Sequence, residues 1–318
     1  MHSARRRKRR GNLDPSNLSE TELERLYRAY IRTISSQVGP QSDVPAPDVN
    51  TDSRMMAWME DEYEAITNCH LSGVVTGKPV DLGGSKGRDG ATARGGMYTI
   101  REAFDVLDRD PYGQTAAIQG YGKAGSAAHQ LATNQLGLDV VAVSDSSGGI
   151  YNEHGFDDEL VRNVKNETGS VVNVRDGDRI SNEELLLLDV DVLLPAAMEN
   201  VITVENADDV RADIVAELAN NPSTPEANRI LLGKDVFVIP DILCNAGGVT
   251  VSYFEQVQNA SNYYWDLDTV HERLPKKMTE SFHDVRDLAV EQNVNHRMAA
   301  FMLAIRRINR TMELRGWV

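Results

Sequence analysis

Apolar residues fall along this chain in two patterns. Short apolar runs at 116–118, 140–143 and 236–239 leave no room for a polar face, and 190–194 and 214–217 repeat the pattern with one acid each, Asp191 and Glu217. Such runs suit strands of a parallel sheet that is covered on both sides. Elsewhere apolar residues recur every three or four positions. Leu23, Leu26, Tyr27, Tyr30 and Ile31 predict an amphipathic helix, opened by Ser19 and Glu22 as a capping box. A second helix is predicted over 55–67, and Val294, Met298, Phe301, Met302 and Ile305 predict a third near the end of the chain. Strands alternating with helices predict an α/β fold.

The first two apolar runs enclose a turn that carries chemistry. Gly120, Gly122 and Gly125 form G-x-G-x-x-G, Ala124, Ala127, Ala128 and Leu131 follow at helical spacing, and the next run ends at Asp145. In a dinucleotide site the first glycine makes the tight turn, the second admits a pyrophosphate to the backbone, and the third lets helix pack on strand. The closing acid stands where a ribose hydroxyl binds. Glycine-rich turns also occur for packing alone, but here strand, turn, helix, strand and acid occur in order. Lys123 would add positive charge beside the phosphates at the helix N-terminus, or would be a solvated lysine.

Composition narrows the class. A chain of 318 residues buries a large core, its hydrophobic fraction of 41% is ordinary, and no apolar run is long enough to cross a bilayer. Net charge is −15, although six of the 33 basic residues lie at 5–10; the other 27 face 48 acids, a balance of −21. That balance repels nucleic acid and anionic membranes and points to a salt-adapted host. Cys69 and Cys244 are too few for a disulfide scaffold and fit a reducing cytoplasm, with no metal-spaced cluster. The arginine-rich start lacks interleaved aromatics and reads as a disordered tail.

Near the start, D-V-P-A-P-D-V-N-T-D holds the chain extended through two prolines and delivers Asp48 at a defined point, where an acid could transfer protons. This segment, followed by MMAWMEDEYE, VTGKPVDLGGSKGRDGATARGG, the glycine turn and CNAGGVTVSYFEQVQN, resembles the glutamate dehydrogenase family of amino-acid dehydrogenases. The resemblance implies reversible oxidative deamination of L-glutamate to 2-oxoglutarate and ammonia, with NAD or NADP taking the hydride, in a cytoplasmic homo-oligomer, usually a hexamer. It implies Asp48 as the catalytic aspartate, Ser252 as the ligand of the substrate's side-chain carboxylate, Thr92 and Asn245 as cofactor contacts, and Lys123 where the family usually has asparagine. Without the resemblance Ser252 reads as a helix residue with a satisfied hydroxyl. Strand ends should border the cofactor crevice, which adds Ala196, Ala197 and Asn220. Asp145 favours NAD, while Ser146, Ser147 and Lys123 leave NADP open. The family usually has E-G-A-N-G-P at 217–222, so Leu218 and Asn221 replace glycines and would strain any turn that needs positive φ.

The expected architecture is a Rossmann-type dinucleotide-binding domain over 86–255, an incomplete α/β substrate or dimerisation domain over 12–85, and C-terminal helices over 256–318 packing back on that domain. Residues 1–11 form the basic tail. In the family a G-G-x-K-G-G segment precedes the aspartate motif and supplies a catalytic lysine; here the tail takes that place, as an out-of-frame reading of glycine codons would. Lys86, in G-G-S-K-G, lies after Asp48 and reads as a loop side chain. The chain is therefore expected to be truncated, and the alternative to an active dehydrogenase is an impaired dinucleotide-binding remnant.

Overall fold

The computed structural model describes residues 17–48 and 51–318, so the basic tail lies outside the described residues. They form two units.

The first unit takes the chain up to Ser85 together with Ser252–Trp265. Its helices are α1, Glu20–Ile34, and α2, Ser53–Thr67. The Ser19 hydroxyl accepts the Glu22 N–H while the Glu22 carboxylate accepts the Ser19 N–H, so the capping box forms. Asp52 caps α2, its carboxylate accepting the Met55 N–H. Ile31, Val38, Met55, Met56, Met59, Tyr63, Val74 and Val75 make the core. The predicted face of α1 is only half covered: Ile31 is buried, whereas Leu26 and Tyr30 stay exposed.

The second unit comprises Lys86–Val251 and Asp266–Val318. Helix α3, Ala91–Val106, precedes a seven-stranded sheet of β1 Thr115–Gln119, β2 Asp139–Asp145, β3 Gly148–Tyr151, β4 Asp178–Ile180, β5 Val192–Pro195, β6 Ile214–Ala216 and β7 Phe237–Ile239. Between strands run α4 Lys123–Leu131, α5 Asp158–Thr168, α6 Asn182–Leu186 and α7 Pro225–Gly233; after β7 come α8 Asp241–Cys244, α9 Gly247–Ser261, α10 Leu267–Gln292 and α11 His296–Leu314. Strand order is β4-β3-β2-β1-β5-β6-β7, with β2, β1, β5, β6 and β7 parallel and β3 and β4 antiparallel at one edge. The chain moves outward from β1 to β2 and later returns to place β5 on its other side. That reversal between β1 and β5 is the switch point at which open α/β sheets bind ligands.

Each short apolar run became a strand because both sheet faces are covered. The expected packing of 256–318 differs. Phe282, Val285, Leu288 and Ala289 of α10 and Ala299 and Ala300 of α11 join the core that covers one face of the sheet, so Asp266–Val318 belongs with the strands. Of the residues that predicted the last helix, Met298, Phe301 and Ile305 are exposed, whereas Val294 and Met302 pack against the core beside the buried Ala299 and Ala300. Among the described residues no helix is long and apolar enough to cross a membrane.

Candidate functional site

The Gly120–Gly125 turn leaves β1 at the switch point. Gly120 has φ +98°, and a Cβ there would lie 2.5 Å from the Ala197 Cβ, at the end of β5. A Cβ on Gly125 would come within 1.8 Å of the Gly120 carbonyl oxygen. Both positions therefore require glycine. Gly122 differs: a Cβ there would meet nothing within 4 Å. It is the N-cap of α4, where no side chain accepts from the first-turn amides. An uncapped helix N-terminus with open space over its N-cap fits a phosphate, which would accept from those amides and meet the positive end of the helix dipole. Lys123 is the exposed first residue of that helix.

The turn is anchored from beneath. Tyr121 is buried between the glycines, and its hydroxyl lies 2.8 Å from His129 Nδ1. His129 Nε2 lies 2.9 Å from the Phe156 carbonyl oxygen, which can only accept. The proton therefore sits on Nε2, and Nδ1 accepts from the tyrosine. Burial holds the His129 imidazole below its usual pKa and pushes the Tyr121 phenol up, so both are neutral. Lys165 Nζ donates to the Tyr121 carbonyl at 2.6 Å.

Asp145 ends β2 as the motif requires, but its carboxylate is already engaged. It accepts from the N–H groups of Ser147 at 2.9 Å and Val171 at 2.8 Å, and from the Ser170 hydroxyl at 3.0 Å. Lys165 Nζ is 3.5 Å away, and the side chain is 7% exposed. Burial opposes ionisation, yet the Val171 and Ser147 amides, Ser170 and Lys165 outweigh it and hold the carboxyl below its usual range.

Other strand ends converge on the same region of the sheet. The Ala196 N–H donates to the Gln119 carbonyl at 2.8 Å, joining the ends of β5 and β1. After β6, Asn220 Oδ1 accepts from Asn245 Nδ2 at 2.8 Å. Of the two replaced glycines, only Asn221 has positive φ, at 48°, a conformation asparagine tolerates. Leu218 packs against Gly96 without such strain. On α3, Thr92 meets the start of α9: a Cβ on Gly248 would lie 2.5 Å from the threonine Oγ1.

The first unit holds the other two predicted residues. Asp48 is exposed at the end of the P-A-P-D segment; its N–H and carbonyl both pair with the Thr51 hydroxyl at 2.6 Å. The segment is fixed where the Thr76 N–H donates to the Pro45 carbonyl and Pro47 lies against Gly77. Ser252 is buried in α9, one turn before Glu255, whose carboxylate accepts from the N–H groups of Gly77 and Ser85. Lys78 is fully buried, 3.3 Å from Glu60 and 3.9 Å from Glu255. Burial raises both carboxyls, with Lys78 opposing it. Among the described residues no cluster of three or more His, Cys, Asp or Glu could hold a metal ion.

The model of the Glutamate/Leucine/Phenylalanine/Valine dehydrogenase family matches residues 83–316, and the dimerisation domain of the same family matches 11–65. The chain belongs to this dehydrogenase family. An NADP-specific glutamate dehydrogenase of Halobacterium salinarum is 48% identical over 298 residues, which are 93% of this chain and 71% of that relative. A cryptic catabolic NAD-specific glutamate dehydrogenase of Bacillus subtilis is 45% identical over 305 residues, covering 96% of this chain and 71% of its own. The hetero-hexameric glutamate dehydrogenase of Thermus thermophilus superposes with a TM-score of 0.91 at 36% identity, across 96% of this chain and 72% of that one. This family member is thus an NAD(P)-dependent amino-acid dehydrogenase acting on a CH–NH2 group. Sequence reasoning missed Tyr121, His129 and Lys165 beneath its glycine turn, and Arg297 beside Glu217 and Asp241. A histidine on the buried face of α4 was the available signal for the first group; the partners of Arg297 lie 56 and 80 positions away and left none.

Proposed function

We propose that this chain catalyses the reversible NAD(P)-dependent oxidative deamination of L-glutamate to 2-oxoglutarate and ammonia. The observation that carries the reading is the Gly120–Gly125 turn, with Gly122 open over an uncapped helix N-terminus at the switch point of the sheet. Those amides, with Lys123, hold the pyrophosphate, and Thr92, Ala196, Asn220 and Asn245 line the nicotinamide end. When bound, the dinucleotide supplies the hydride acceptor for oxidation and the donor for reduction.

The chain's own residues do the rest. Asp48 takes a proton from the substrate amine and returns it in the reverse direction, as an exposed carboxylate on a proline-held segment is suited to do. Ser252 donates its hydroxyl to the side-chain carboxylate of glutamate. Asp145, with its charge balanced by four donors, holds its strand end and discriminates only weakly against a 2′-phosphate, so the coenzyme is NAD or NADP. Relatives specific for each of the two coenzymes support that choice of class. In the same reading residues 12–85 serve the substrate and 86–255 the dinucleotide, in a cytoplasmic homo-oligomer from a salt-adapted host. The acidic balance supports the salt-adapted host, and the two free cysteines support the reducing cytoplasm.

The test is a high-salt assay of NADH and NADPH oxidation with 2-oxoglutarate and ammonium, with coenzyme binding measured alongside. Turnover dependent on both co-substrates is expected. Binding with no turnover would count against the reading and mark an impaired remnant.

A further inference from the structure

We propose that Arg297 is a positioning residue for the nicotinamide end of the coenzyme site, acting through Glu217 and Asp241. The proposal rests on the dinucleotide reading of the Gly120 turn. Arg297 lies in the first turn of α11, after the N-cap Asn295. Its guanidinium bonds two carboxylates that leave adjacent strand ends, Glu217 after β6 and Asp241 after β7; the bond to Asp241 is 2.6 Å.

Each carboxylate is also bonded to the backbone of a loop. Glu217 accepts the Asp241 N–H at 2.9 Å, at the start of α8. Asp241 accepts the Asn221 N–H at 2.8 Å, fixing the residue that turns with positive φ. The Asp241 carbonyl accepts the Asn245 N–H at 3.0 Å, and the Asn245 amide bonds Asn220. The path from Arg297 to the Asn220–Asn245 pair is therefore continuous and consists of directional bonds.

Ion pairs out of water add little net stability over apolar packing, whereas their directionality fixes register. Here Glu217 is fully buried, and the guanidinium is the cation that both carboxylates bond. Without it the two acids repel, Asp241 loosens its hold on Asn221, and the asparagine pair loses its spacing. Nothing in this path reaches Gly120 or Asp145, which hold the other half of the coenzyme.

That separation gives the test. Binding of NADH or NADPH, whichever the parent takes more tightly, is followed by nicotinamide fluorescence, and binding of ADP-ribose or its 2′-phosphate by calorimetry. In Arg297→Met, the expected result is a reduced-coenzyme Kd raised tenfold or more and an ADP-ribose Kd within twofold of the parent. Arg297→Lys, which keeps the charge but loses the fork, should recover part of the loss. If Arg297→Met does not fold, the double variant Arg297→Met with Glu217→Gln removes cation and carboxylate together and should show the same selective loss. Equal weakening of both ligands, or unchanged binding of both by a folded variant, overturns the proposal. Failure of the parent itself to bind ADP-ribose overturns the dinucleotide reading and the proposal with it.

Discussion

The glycine turn of the sheet unit and the P-A-P-D segment of the smaller unit are both short loops expected to carry function, and they are built oppositely. The turn is determined from all sides: Gly120 and Gly125 admit no other residue, Tyr121 is pinned by His129, and Lys165 holds the Tyr121 carbonyl. Asp48 is exposed, on a segment shaped by proline and by two backbone contacts. A site that must hold a charged ligand in one register benefits from rigidity. A group that exchanges protons needs access and carries little of the fold.

The sharpest test of that contrast is Asp48→Asn. Loss of a positioned acid–base group costs about a hundredfold to ten-thousandfold in kcat. An exposed substitution shifts stability by about 0.5 kcal/mol or less. Steady-state kinetics and thermal melting on the same sample should therefore show a large rate loss with almost no change in melting temperature. A large fall in melting temperature would mean that Asp48 is structural.

The turn should behave the other way. Gly125→Ala places a methyl against the Gly120 carbonyl oxygen at a distance no Cβ tolerates, and the strand–helix junction must move. We expect a stability loss of about 3 kcal/mol by denaturant titration, together with loss of coenzyme binding. Gly122→Ala meets no atom, so it should melt within about 1 kcal/mol of the parent while weakening coenzyme binding, because the methyl occupies the phosphate space. Equal destabilisation by the two alanines would break the distinction.

What could be read beforehand divides along the same line. The β1–α4–β2 unit was legible because two-sided burial leaves apolar runs, and a backbone that must turn sharply leaves glycines. The β3–β4 edge was not, since Gly148–Tyr151 and Asp178–Ile180 are too short to show a pattern. In α11 the large apolar residues were only part of the signal: Met302 packs against the core, but close packing selects Ala299 and Ala300 for the buried positions and leaves Met298, Phe301 and Ile305 exposed. Asp145 was found by spacing, but the amides that engage it come from 147 and 171, and no local rule reports a partner 26 positions on.

Neutral histidines make the sheet unit sensitive to acid. Burial depresses His129 and His296 in the fold, whereas in the unfolded chain they titrate near 6.5. As pH falls through that value the unfolded state gains protons that the folded state refuses, so stability declines by up to about 1.4 kcal/mol per pH unit for each. Raised carboxyls act in the opposite sense. Glu60, Glu217 and Glu255 keep their protons longer when folded, so their contribution is lost as pH rises above about 4.5 towards their folded values. Denaturant titrations between pH 5 and 7 should therefore give a slope of stability against pH that is less positive in His129→Gln than in the parent, by up to about 1.4 kcal/mol per unit. An unchanged slope in that variant would place the acid sensitivity elsewhere.

The finest probe of the turn's anchoring is Tyr121→Phe. The change keeps the buried ring and deletes only the hydroxyl, leaving His129 Nδ1 without its donor. An unpaired buried acceptor costs about 1–3 kcal/mol, and the lower end applies because the imidazole keeps its bond to Phe156. If the anchor serves only the core, melting temperature falls and coenzyme affinity holds. If it also holds the register of the glycines, as its place between Gly120 and Gly122 argues, then affinity for ADP-ribose falls severalfold as well. Asp48 turnover chemistry gives no such coupling, because that segment shares none of these bonds. A Tyr121→Phe protein that is less stable but binds ADP-ribose like the parent would show the glycines alone to be sufficient for the turn.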